Sequence, residues 1–410
     1  MDQLFSSFTN FAITGIVVHE VRPAEFGAFS LALTLYICFL WVCRSVVGEP
    51  YIVRLTTASE QAKTDGGRQA LGTAAVLGST AAVLMIAGGL VSAEPAGPTL
   101  ATMGIFMPVL LVQDSYRYIL MARGKVKAAA ANDFLWLFSQ SALAASFIIG
   151  HSASATFLVI AFGSGAAAGA ILGAYQTHIF PRPSQCVHWL KRQRDLWVPF
   201  LVELLAVNAT PQLSLLLDGA LGGILVVGAL RTGIFLFAPL TVLFSGLYLV
   251  ALPEAARLRQ RSIDSLRSLV FGLGLGMTVL TGCWAMGLWL VPARIGTALL
   301  GANWQVGHNL IWETAGFTGA TSLTLAAIVG LRALQAARKS LRARIWAGPI
   351  ILGSSVVGAS LGGVQGAAIG LALSCAFSAV LTCTVLFREL GRAPVDEGDL
   401  DISTLAVTAE

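Results

Sequence analysis

Apolar residues in this chain come in long unbroken stretches, such as Ala142–Tyr175, Leu221–Leu252 and Ser268–Val291, separated by short polar breaks. A helix crosses a hydrocarbon core with about 20 such residues. The stretches lack the alternation over about 10 positions that marks a membrane β-strand. Lipid leaves exposed backbone groups unsatisfied, so helices are what remain. Reading the runs against their breaks predicts twelve spans, near 2–18, 27–50, 70–92, 99–121, 132–150, 153–175, 196–217, 223–250, 268–291, 306–331, 345–362 and 366–387. The breaks carry helix-stopping chemistry at Arg22-Pro23, Glu94-Pro95, Pro181-Arg182-Pro183, Pro253-Glu254 and Pro292. The break around His151 is weak, and apolar runs alone also allow eleven spans. The first span is short: Met1–Val18 reaches about 27 Å as a helix. Either it tilts little, or the chain as given omits a few residues at its start. Met1 is followed by Asp2 rather than a basic region, and no small-residue cleavage site precedes Glu20, so this segment reads as a retained helix rather than a cleaved signal.

Composition sharpens the class. Hydrophobic residues make up 56% of the 410 and charged residues 11%, against roughly a quarter charged in soluble domains. A water-soluble enzyme is excluded. The net charge of +5 gains meaning once it is placed. Connections after the even-numbered spans and the C-terminal tail hold 21 of the 26 Lys and Arg residues; those on the other side hold two, Arg22 and Arg294. Basic residues stay on the cytoplasmic side, so both termini are expected there, which requires an even number of spans. The fold class expected is therefore an all-α polytopic membrane protein of twelve transmembrane helices.

The longest basic break, Gln176–Asp195, divides the spans into two sets of six. Residues 1–180 and 196–390 are expected to form two lobes, joined by a linker over 181–195 and followed by an acidic tail over 391–410. The tail has little to bury and no assigned role. The halves share a pattern: Gly27-Ala28-Phe29-Ser30 leads through a long helix to Glu49-Pro50 and Arg54, and Gly228-Ala229-Leu230-Arg231 leads to Pro253-Glu254 and Arg257. Duplicated halves are common in secondary transporters, with the substrate between them.

Glu25-Phe26-Gly27-Ala28-Phe29-Ser30-Leu31-Ala32 resembles a signature of bacterial polysaccharide exporters, the O-antigen and teichoic-acid type flippases of the multidrug/oligosaccharidyl-lipid/polysaccharide superfamily. The stretch from Leu221 through Pro239 to Glu254 and the segment Gly363–Gly370 are similar to later parts of that family. The resemblance implies a flippase for polyprenyl-diphosphate-linked saccharides in the bacterial cytoplasmic membrane, with a cationic cavity between lobes. Expected partners are that lipid-linked saccharide, membrane lipids and other polysaccharide-assembly proteins, with no cofactor and no nucleic acid.

Charges inside a span cost about 2.5–3.5 kcal/mol each on insertion scales and usually face a cavity or a partner. Three arginines qualify: Arg44, Arg117 and Arg231. Guanidinium groups grip phosphate oxygens in a fork and stay charged at any working pH. The structural readings are that Arg117 neutralises Asp114, three residues away, and that Arg44 snorkels to head groups. Glu203, Glu313 and Asp114 are candidate coupling carboxylates, or else acids hydrogen-bonded to neighbouring helices. Asn208 and Gln212 share a helix face at i,i+4 spacing and suit sugar hydroxyls, or ordinary interhelical bonds. Pro108, Pro211, Pro239 and Pro349 fall inside spans, where proline favours kinks in moving and static bundles alike. The six cysteines have no CxxC spacing and read as packing residues.

Two other functions compete. A cation- or proton-coupled drug antiporter of the same superfamily would need acids in its cavity. A membrane glycosyltransferase or polymerase would need an acid/base pair outside the membrane, and the longest outer connection, near Val291–Gln305, offers only Arg294. No glycine-rich phosphate loop with its lysine occurs, which argues against ATP-driven transport. The chain is expected not to be an enzyme.

Overall fold

The computed structural model describes Gly15 and residues 18–392, apart from 151–153, 208 and 335. Nearly all of the predicted first span and the acidic tail lie outside the described residues. Among those described, every regular element is helical.

The first half contains α1 (Pro23–Cys43), a π-helical turn (Arg44–Gly48), α2 (Glu49–Leu55), α3 (Glu60–Val91), α4 (Ala96–Ala122), α5 (Val126–Ile149) and α6 (Ala155–Thr177). A short helix, α7 (Cys186–Arg192), leads into the second half. That half contains α8 (Arg194–Val207), α9 (Ala209–Gly222), α10 (Ile224–Leu236), α11 (Ala238–Arg261), α12 (Ile263–Leu290), α13 (Ala293–Leu300), α14 (Asn303–His308), α15 (Ile311–Ala333) and α16 (Ala337–Leu390). The protein is a multi-pass membrane protein with an all-helical, two-lobed fold.

Eight described helices are long and apolar enough by themselves to cross a membrane. The remaining expected spans fall short of that measure for identifiable reasons. α16 is two spans: its helix breaks at Gly362-Gly363, where Gly363 has φ +56°, and the arms fold back on each other. A Cβ built on Gly358 would lie 2.1 Å from the carbonyl oxygen of Gly366, so only glycine permits this approach. α5 buries Asn132, Asp133 and Gln140, which lowers its apolar content. α8 and α9 lie on either side of residue 208. The expected single span over 223–250 is instead α10 and α11, which meet at Phe237, just before Pro239.

Pro253, expected to end a helix, does not, and Pro50 also lies within a continuous helical path. Pro253 lies inside α11. Pro50 follows the π-helical turn, in which the Glu49 amide donates to the Arg44 carbonyl. Proline has no N–H to offer the carbonyl four residues back, here that of Val46. The Trp189 indole Nε1 of α7 supplies the missing donor at 3.0 Å. Trp189 is 1% exposed and stacks on Tyr51. The connection between the halves is thereby bolted to a helix of the first lobe.

Burial sorts the helices. Only 28% of the apolar midsection of α3 and of α12 is buried, against 61% for the α1–α2 span and for α4. The former pair thus form outer walls facing lipid, and the latter lie inside. The lobes meet where α1 crosses α10. A Cβ on Gly27 would sit 2.1 Å from the Ile224 carbonyl oxygen, and one on Gly228 would sit 3.0 Å from the Gly27 Cα. These are the matching glycines of the two half-patterns. At the same end Asn303 donates to the carbonyls of Val18 and Val21 at 2.7 and 2.9 Å, and His19 Nε2 lies 3.2 Å from the Ala298 carbonyl. The end opposite the basic connections is therefore closed across the seam.

Substituting Gly27 with Val is expected to lower the melting temperature of the detergent-purified protein, at an overpacking cost of about 1–3 kcal/mol. The control is Gly272→Val on exposed α12, where an added Cβ meets nothing within 4 Å. Equal melting of the two variants would refute the close crossing.

Candidate functional site

The three membrane arginines have different fates. Arg44 lies at the start of the π-helical turn and grips Asp114 of α4 in a fork, with Nε–Oδ2 2.9 Å and Nη2–Oδ1 2.7 Å. Arg117 lies between two carboxylates, 3.7 Å from Asp114 and 3.6 Å from Asp133 of α5. Its side chain is 7% exposed and those of Asp114 and Asp133 are 5% and 1% exposed. Two cations and two anions therefore cancel inside the first lobe. Gln113 extends the network, donating to Asn132 at 3.0 Å and to Asp133 at 3.4 Å. Asn132 in turn donates to the Gly169 carbonyl at 2.7 Å. A Cβ on Gly169 would meet Asn132 Oδ1 at 2.9 Å, so the glycine makes room for the amide.

Of the three candidate arginines, Arg44 and Arg117 are thus engaged by carboxylates within the first lobe. The structural reading of Arg117 as a partner of Asp114 holds. Arg44 neither snorkels nor points free into a cavity. Asp114 is a counter-ion rather than an isolated coupling group.

Arg231 differs. It lies two turns into α10, where α1, α9 and α10 meet. Its Nη2 donates to Thr34 Oγ1 of α1 at 3.0 Å and reaches Gln212 Oε1 of α9 at 3.5 Å. The Thr34 hydroxyl passes its own proton to the Ser30 carbonyl at 2.7 Å, which leaves its lone pairs for the arginine. Arg231 Nε is buried without an acceptor. Among the described residues no carboxylate pairs with Arg231. A buried guanidinium held only by neutral groups keeps most of its charge available to an incoming anion.

Other expected residues are placed as follows. Gln212 reaches the seam beside Arg231. Asn208 lies outside the described residues, as does the side chain of Glu203. Glu313 is half-buried in the first turn of α15, where unpaired backbone amides favour an anion, so a structural role accounts for it.

Two acids were missed. Asp133 lay beside the predicted start of a span at 132, but α5 begins at Val126 and carries it two turns inward. Asp218 lay just past a predicted span end at 217, but α9 continues to Gly222. Asp218 is 1% exposed and accepts from Ser355 Oγ of α16 at 2.7 Å. Its other oxygen, Oδ1, is buried without a partner, as is Ser214 Oγ one turn earlier. Among the described residues it is the buried carboxylate that faces hydroxyls instead of a cation. The missed signal was polarity at span ends, where a helix needs only one more turn to bury an acid. No three His, Cys, Asp or Glu side chains converge as a metal site among the described residues.

No family model matches the sequence, and no curated protein matches it either. Solved structures do match. An inward-facing multidrug resistance MATE family transporter of the MOP superfamily is similar with a TM-score of 0.71 and 14% identity, over 94% of this chain and 95% of that one. This chain has the MATE transporter fold. An outward-facing MATE transporter is similar with a TM-score of 0.60 and 13% identity, over 95% of this chain and 93% of that one. A third is a MOP superfamily transporter from Pyrococcus furiosus in which reverse polarity of the binding pocket suggests a different function. It has a TM-score of 0.56 and 13% identity, over 95% of this chain and 93% of that one.

Breaking the neutral cluster tests it. Asp114→Asn leaves two arginines facing one acid and is expected to cost about 3–5 kcal/mol, read as a large drop in melting temperature. Adding Arg44→Gln is expected to recover part of the loss. A double variant no more stable than the single one would show that the two groups do not pair.

Proposed function

We propose that this chain is a secondary transporter working by alternating access, and that it carries amphiphiles with an anionic head group. The observation that carries this reading is Arg231, a seam guanidinium held by Thr34 and Gln212 and lacking a described carboxylate partner. Phosphate oxygens suit the guanidinium fork, and a diphosphate head would replace weak neutral contacts with charge-assisted ones. A lipid tail would stay in the bilayer while the head crosses at the seam. Together with the resemblance at Glu25–Ala32, this favours a lipid-linked saccharide in the bacterial cytoplasmic membrane as the substrate. Asp218, with Ser214 and Ser355, is the proposed site for a coupling proton or small cation.

A second reading, a cation-coupled drug antiporter, draws support from the likeness to multidrug transporters, which are not enzymes. Against it, two of the three buried described aspartates, Asp114 and Asp133, are engaged by arginines, which leaves Asp218 as its candidate acid.

The test is leaflet transfer in reconstituted vesicles, with a fluorescent polyprenyl-diphosphate sugar in one arm and a cationic dye in the other. Losing a hydrogen-bonded charge costs about 1.5–3 kcal/mol, so Arg231→Ala is expected to slow sugar transfer by about 10- to 100-fold. Arg231→Lys is expected to fall between it and the parent. Asp218→Asn is expected to abolish dependence on an ion gradient while leaving substrate binding intact. Dye transport without sugar transfer would favour the antiporter and overturn the proposal.

A further inference from the structure

Away from the seam, the second lobe carries a crevice of about 300 Å³ between α12, α15 and the second arm of α16. Its floor is buried and apolar, with Val270, Ala326 and Leu386 all under 7% exposed. Its rim is exposed and apolar, with Phe271 at 64% and Phe387 at 50%. The one hydroxyl on the α12 wall, Thr278, already donates to the Gly274 carbonyl at 2.8 Å, so it offers a polar solute no free proton. The wall suits hydrocarbon.

The mouth has a different character. Arg267 lines the crevice at the basic end of α12, within two turns of that helix's start. It is exposed and has no ion pair among the described residues; Asp264, one turn earlier, lies in the first turn of the helix instead. From Arg267 to Thr278 the crevice follows α12 for roughly 16 Å. That is about half of a ~30 Å hydrocarbon core, the depth of one leaflet.

We infer that this crevice binds an anionic phospholipid of the leaflet on the basic side. One acyl chain lies along α12, and the phosphate rests on the Arg267 guanidinium. The occupant follows from three matches: apolar walls to a chain, crevice length to one leaflet, and an unpaired cation at head-group depth. The inference is independent of what crosses the seam.

The test uses the full chain with Phe271→Trp in vesicles, and lipids brominated on their chains as quenchers. Extra quenching is read against the parent, whose nine tryptophans supply the background. Brominated phosphatidylglycerol is expected to half-saturate the extra quenching at about fivefold lower mole fraction than brominated phosphatidylethanolamine. Adding Arg267→Gln is expected to erase that preference and leave quenching by the zwitterionic lipid unchanged. Leu275→Trp on the same rim provides a second reporter should the first fold poorly. Equal quenching by both lipids with Arg267 intact would reduce the crevice to ordinary lipid contact and overturn the inference. No quenching by either lipid, with Phe271→Cys cross-linking between copies, would also overturn it and assign the crevice to a second copy of the chain.

Discussion

A charge inside a bilayer has no water to fall back on, and the arrangement of this protein follows from how each such charge is settled. Arg44 and Arg117 are answered by Asp114 and Asp133 within the first lobe. Those four residues tie α1, the π-helical turn, α4 and α5 into a unit with no net charge. The cluster then acts as a structural core in a place where apolar packing gives little preference for protein over lipid. Arg231 is settled differently, by a hydroxyl and an amide drawn from both sides of the seam. A cation with only neutral partners among the described residues is costly to maintain, and its position where two lobes meet makes an anionic ligand its natural complement.

The same contrast holds for acids. Asp218 accepts from the Ser355 hydroxyl in the second lobe and keeps its other oxygen without a partner among the described residues. Arg231 and Asp218, neither of which has a partner of opposite charge among the described residues, lie on neighbouring helices, α10 and α9. Each has an incentive to bind something from outside, one an anion and the other a proton or small cation. Close glycine contacts between α1 and α10 hold one end of the seam together with the Asn303 and His19 hydrogen bonds. The glycine crossing itself has no side chains to interlock, and the few hydrogen bonds beside it are all that must break for the surface to part.

Much of the fold was legible in the sequence, because twelve apolar runs and one-sided basic loops leave few topologies open. The repeated Gly27 and Gly228 patterns pointed to duplicated halves, and the structure shows that these two glycines meet where α1 crosses α10. What failed was local. Pro253 looked like a helix end but lies within a helix, and Pro50 is accommodated in one because Trp189, far along the chain, supplies the hydrogen bond that proline withholds. Asp133 and Asp218 looked like boundary residues, since hydropathy cannot tell a helix end from a polar turn buried against a neighbour. The roles of the arginines depended on those acids. Counting charges within spans therefore overestimated the cationic lining of the seam.

The central claim is that Arg231 makes the seam a receptor for anions. The most direct measurement is equilibrium binding of a short-chain polyprenyl diphosphate and of a lipophilic phosphonium cation to the purified protein, with Arg231 intact and replaced by Ala. The account predicts that the diphosphate binds about 10- to 100-fold more weakly when Arg231 is replaced and that the cation binds weakly to the intact protein. Tight binding of the cation, or diphosphate affinity unchanged in the Ala variant, would contradict it.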